Sequence, residues 1–139
     1  MRDCETWKLN VREKETLDIF ERKVLRRIYG GRKVGEMWPR RSNEELMEMY
    51  GEPSITNVIR SQRMRWLGHV VRLPNERTTR IVLTGGIVGR RKRGKPQTGW
   101  LQKVERDLEE IGIRDWRRRA RNKTEWRHIC NQAMDVLGP

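Results

Sequence analysis

Apolar residues in this chain recur every three or four positions, in short stretches that glycine and proline repeatedly interrupt. That period gathers side chains on one face of a helix, whereas a half-buried strand needs strict alternation. No convincing run of alternation occurs. The chain therefore reads as all-α, with short helices joined by Gly and Pro breaks and one basic flexible loop.

The first stripe is Leu17, Phe20, Val24 and Ile28, opened by the capping pair Asn10 and Glu13 and closed by Gly30 and Gly31. Before it, Trp7 is the only anchor expected. A connector with Trp38-Pro39 follows, then Ser42 and Glu45 form a capping box ahead of Leu46, Met47 and Met49. Gly51 stops that helix after Tyr50. Pro53-Ser54 opens a longer helix with Ile55, Val58, Ile59, Trp66 and Val70 on its face, widened by Met64, Leu67 and Val71. Pro74-Asn75 breaks it, and residues 76–83 form another helical piece ending near Gly85-Gly86. Pro96 suits the first turn of the next helix, which carries Trp100 or Leu101, Val104, Leu108 and Ile111 and ends at Gly112. A short basic helix around Trp116 and Ala120 precedes a last one. Asn122 and Glu125 cap it, and Trp126, Ile129, Cys130, Ala133 and Leu137 face inward. The expected organisation is a helical segment over 1–50 and a basic helical region over 51–139 with the loop at 85–96.

Of the 139 residues 35% are hydrophobic and 37% charged, so the interior must be thin, and six tryptophans against one phenylalanine supply ring area in place of aliphatics. The net charge of +13 is unevenly spread, with +2 over residues 1–60 and +11 over residues 61–139. A field of that sign attracts polyanions, through phosphate neutralisation and counterion release. Cys4 and Cys130 sit at opposite ends, so a reducing compartment fits better than a disulfide scaffold. No apolar run approaches the ~18 residues that span a bilayer, and no signal peptide precedes the first charged residues. The chain reads as intracellular, nuclear or cytoplasmic, with no membrane and no small-molecule substrate. No cofactor is expected. His128 and Cys130 stand two apart on a helix and diverge, and Cys4 and His69 are distant, which argues against zinc.

The densest basic stretch runs from Gly89 to Pro96 and contains Arg90, Arg91, Lys92, Arg93 and Lys95. Such residues follow phosphates as bidentate forks and point charges. Residues Lys92 to Pro96 also have the look of a minor-groove hook, although Lys95 stands where a second arginine would insert. The same residues could serve nuclear import, or form an inert solvated loop. Arg63 and Arg65 lie beside Trp66, and Arg72 closes the same helix. They either meet nucleic acid or are solvated, while Trp66 packs inward because it lies on the apolar stripe. His69 reads as a packed or hydrogen-bonded helix residue. Arg117, Arg118, Arg119 and Arg121 form either a solvated face or further phosphate contacts.

Glu5-Thr6-Trp7 and the run from Ile19 to Gly30 resemble the stretch just after the polymerase core of RTE-like non-LTR retrotransposon endonuclease–reverse transcriptases. The similarity continues through Asn43 to Leu46, Tyr50 to Pro53 and Gln62 to Arg72. It resumes at Gly89 to Pro96 with Trp100, at Val104 to Leu108 and at Trp126-Arg127. It covers nearly the whole chain in order, and Arg65-Trp66-Leu67-Gly68-His69-Val70 is its most specific part. Lys95, Gly99 and Asn122-Lys123 depart from the family's usual arginine, basic residue and Asp-Arg. These departures keep or trim charge, so phosphate binding survives them more easily than base-specific contact.

The resemblance implies a C-terminal, non-catalytic tail that contacts RNA or DNA phosphates or packs on an upstream polymerase. Met1 falls inside the family pattern, as in a truncated copy or fragmentary gene. A polymerase palm needs clustered carboxylates for two divalent ions, and the acids here never adjoin as Asp-Asp. The endonuclease's His and Asp/Asn set is absent, with only His69 and His128 available. Two other roles fit the same residues. One is a protein-interaction module, which the Leu17 to Ile28 stripe would serve if left uncovered. The other is a decayed element without a selected role.

Overall fold

Side-chain caps open the helices close to where the sequence puts them. In the computed structural model, which describes residues 4–85 and 99–135, Asn10 and Glu13 exchange hydrogen bonds at the start of α1 (Val11–Tyr29). Ser42 and Glu45 do the same for α2 (Asn43–Tyr50). Gly51, at φ 66°, ends α2 and donates to the Met47 carbonyl. Ser54 caps α3 (Ile55–Val71), and α4 (Thr78–Thr84) follows the break at Pro74. Gln102 reaches back to the Gly99 amide at the start of α5 (Trp100–Glu110), so this helix begins after Pro96 rather than at it. One turn, α6 (Trp116–Arg119), precedes α7 (Lys123–Asp135), whose first amides Asn122 accepts.

The chain is all-α. Among the described residues the one extended pairing is a single bridge between Val34 and Met37, closing a tight turn at Gly35 (φ 63°). None of the described helices is long and apolar enough to cross a membrane. Leu137 lies outside the described residues, as does nearly all of the 85–96 loop.

Helix α3 is the shared wall of two cores. On one side Met64 and Leu67 pack with Val104 and Leu108 of α5, Trp116, and Trp126, Ile129, Cys130 and Ala133 of α7. On the other, Ile59 joins Cys4 and Leu9, with Leu17 and Ile55 against them. Elements before and after residue 50 thus pack on the same helix. Because α3 is covered on more than one side, Asn57, Ser61 and Arg63 are buried with its apolar residues. Ser61 satisfies its hydroxyl on the Cys130 carbonyl at 2.8 Å.

Two expectations change here, and one open alternative gains an observation. Cys4 and Leu9, not Trp7, anchor the first ten residues, and Trp7 is exposed. Trp66 is not core. It is half-buried with its ring 5.3 Å from that of His69, because the tryptophan packed on α3 comes from α7. The α1 stripe is also largely uncovered: Phe20 and Ile28 are 58% and 67% exposed, and Leu25 is the buried residue. The covered face of α1 is partly acidic. Glu21 accepts the Ile55 amide at 2.9 Å and Asp18 accepts the Thr56 hydroxyl, which sets two carboxylates at the positive end of α3.

The Trp126 indole packs directly against Gly68. The indole Nε1 donates to the Met64 carbonyl at 2.7 Å, and a Cβ on Gly68 would lie 2.2 Å from the ring. On a free helix surface Gly68→Ala would gain about 1 kcal/mol in propensity. Here overpacking of about 1–3 kcal/mol outweighs that gain, and urea denaturation should show a net loss of up to about 2 kcal/mol. Both cysteines are buried and outside any disulfide, and burial pushes the Cys130 thiol up to about 11. Cys130 is thus expected to resist iodoacetamide at pH 8 and to react only as denaturant opens the fold, followed by mass spectrometry.

Candidate nucleic-acid interface

Arg63 shows how the helix packing redirects charge. Its position on α3 points it into the interior, where it is 1% exposed and donates to Asp107 of α5 at 2.6 Å. Asp107, itself 4% exposed, also faces Arg60 at 3.7 Å and Lys14 at 4.0 Å. Burial pushes the Asp107 carboxyl above its ordinary range, against the pull of Arg63, Arg60 and Lys14. Arg63 is lowered by the same burial, opposed first by Asp107. A buried charge pair is held this way because separating the partners leaves one uncompensated. Arg63 is therefore structural and does not reach a phosphate.

Arg72 is also committed, donating to the Ala120 carbonyl at 2.6 Å beyond the end of α6. Arg65 is exposed and meets the neutral Asn131 amide, at 3.1 Å. On α6, Arg117 and Arg118 are exposed and Arg119 is half-buried, and all three meet carboxylates. Arg117 pairs with Glu105 at 3.2 Å and lies over the Trp116 ring, 4.4 Å from its centre. Arg118 pairs with Asp115 at 2.6 Å, an acceptor that also takes Arg119. Exposed pairs of this kind are weak, so the guanidiniums remain open to a competing anion. Arg90, Arg91, Lys92, Arg93 and Lys95 lie outside the described residues.

The structure brings Arg117 and Arg121 together with Arg80 of α4 around a cleft of about 230 Å³, floored by Val71, Leu83, Leu101 and Trp116. Arg80 is steadied by a hydrogen bond to the Leu73 carbonyl. Among the described residues no carboxylate or imidazole lines this cleft, so what it offers is positive charge and hydrogen-bond donors. The last residues of α4 and the first turn of α5 form one wall, and the segment between them carries the basic run of 90–95. Arg80 was not legible as part of this group. It is the one base in a short helix that also carries Ile81, Val82 and Leu83, and only the tertiary fold gives it Arg117 and Arg121 as neighbours.

No family model, no curated protein and no solved structure matches the chain.

Removing one partner of the buried pair leaves the other charge stranded. Asp107→Ala should lower stability by about 3–5 kcal/mol in chemical denaturation. The Arg63→Met/Asp107→Leu double variant should recover most of that deficit, since Arg60 keeps Glu110 at 2.8 Å.

Proposed function

We propose that this chain is a non-catalytic nucleic-acid-binding piece, the C-terminal part of a non-LTR retrotransposon reverse transcriptase, which holds RNA or DNA by its phosphates. The observation that carries the reading is the gathering of Arg80, Arg117 and Arg121 around one cleft, beside the two ends of the segment with five basic residues. Arg90, Arg91, Lys92, Arg93 and Lys95 in that segment are further phosphate ligands in this reading, as are Arg65 and Arg118. Phosphates exchange the weak carboxylate partners of Arg117 and Arg118 for stronger charge-assisted bonds. The excess of basic residues after position 60 supports this reading, and so does the resemblance of the basic run to the family's tail.

A second reading rests on α1. Phe20, Val24 and Ile28 form an exposed apolar strip that an upstream polymerase domain or other protein would cover. Under that reading the isolated chain self-associates in light scattering, and masking α1 abolishes the association.

Binding to RNA and to duplex DNA should be measurable at low salt and weaken steeply as salt rises, by fluorescence anisotropy. Changing Arg90, Arg91, Lys92 and Arg93 to Ser should reduce the slope of log affinity against log salt by about 1 for each phosphate no longer neutralised. Absence of binding to either nucleic acid at low salt would sink the proposal.

A further inference from the structure

The half of the chain with little net charge holds a second basic cleft. Between α1 and the start of α2, Arg22, Lys23, Arg26, Arg27 and Arg40 line an open groove with no carboxylate among its described lining residues. The near-neutral balance of residues 1–60 hides it, because the acids there lie outside the groove and four of them are engaged at helix starts. Glu13 and Glu45 cap helices, and Asp18 and Glu21 sit on the α3 start. The second half of α1 is left with basic residues at 22, 23, 26 and 27.

The groove is built around Arg26. Its Nη2 donates to Asn43 at 2.5 Å, which fixes the guanidinium against α2, while its Nε is buried with no hydrogen-bond partner among the described residues. Burial, then the charges of Arg40 and Arg22, lower this arginine from its ordinary value. Like charges crowded around an unsatisfied donor are relieved by an anion. Residues 22 and 26, and likewise 23 and 27, follow each other about 6 Å apart along the helix axis. That repeat matches the step between consecutive phosphates of an extended strand better than it matches a single small anion. The groove shares no lining residue with the α4–α6 cleft.

We infer that the α1–α2 groove is a second nucleic-acid contact, taking consecutive backbone phosphates of a single strand whose other end lies on the α4–α6 cleft. The inference rests on the nucleic-acid reading above and adds a site in the opposite half of the chain. Two contacts on one strand make the second intramolecular, so affinity grows with strand length beyond what either contact gives.

The test uses the full chain, with 10-nucleotide and 40-nucleotide single-stranded RNA and DNA. The variants are Lys23→Gln/Arg27→Gln/Arg40→Gln and the loop variant with residues 90–93 changed to Ser. Lys23, Arg27 and Arg40 are exposed, so the first variant should keep the wild-type unfolding midpoint. Its salt slope on the 40-nucleotide strand should fall by about 2, together with most of the advantage of the long strand over the short one. Wild-type affinity and length dependence in this variant, with weakening confined to the loop variant, would overturn the groove while leaving the function reading intact. Binding of neither RNA nor DNA at low salt would overturn both. Displacement of the long strand from the groove by equimolar pyrophosphate would make it a small-anion site. Groove-dependent binding to phosphatidylserine vesicles, without any effect on RNA or DNA, would make it a membrane contact. Either result overturns the inference.

Discussion

The carboxylate of Asp107 sits between three cations from two other helices, and the arrangement of the rest follows from it. It reaches Arg63 and Arg60 on α3 and Lys14 on α1, so one buried acid joins α5 to both. In a chain with 35% hydrophobic residues, apolar burial alone fixes few helix orientations. A paired charge adds direction, because it tolerates only a narrow range of positions before a donor is stranded. Arg63 also donates to the Trp7 carbonyl at 3.4 Å, and Trp100 bonds the Glu5 carbonyl at 2.9 Å. The first residues are thereby tied to α3 and α5.

That same economy of acids shapes the surface. Several carboxylates have internal duties: capping α1 and α2, meeting the start of α3, or neutralising Arg63. Exposed carboxylates remain on the surface, but none lines the two basic clefts among the described residues. In the proposed function the bases of such a cleft serve as phosphate ligands. In the α4–α6 cleft and in the α1–α2 groove alike, several bases converge and no carboxylate is among the described lining residues.

Much of the helical framework was legible in the sequence because helix ends are local chemistry. Asn10 with Glu13, Ser42 with Glu45, and Asn122 ahead of α7 satisfy amides within a few residues of themselves, whatever the rest of the chain does. Facing was less legible. The period of α1 is helical either way, yet Phe20 and Ile28 stay outside while Asp18 and Glu21 turn inward. Hydrophobicity alone points the other way, and the polar contacts at the start of α3 decide it. For Trp66 and Arg63 the expectation shifted in both directions: the ring is only half-buried and the charge is buried.

By itself the sequence determined the all-α class, the positions of most helix ends and the excess of positive charge after residue 60, because each depends on near neighbours or on composition. Only the tertiary structure decided which arginines face outward. Arg63 is taken by Asp107, 44 positions away, and Arg72 by Ala120, 48 positions away. Arg80, on α4, comes together around one cleft with Arg117 and Arg121, more than 35 positions away in the chain. Such pairings join residues far apart in the chain, and no local period or cap encodes them.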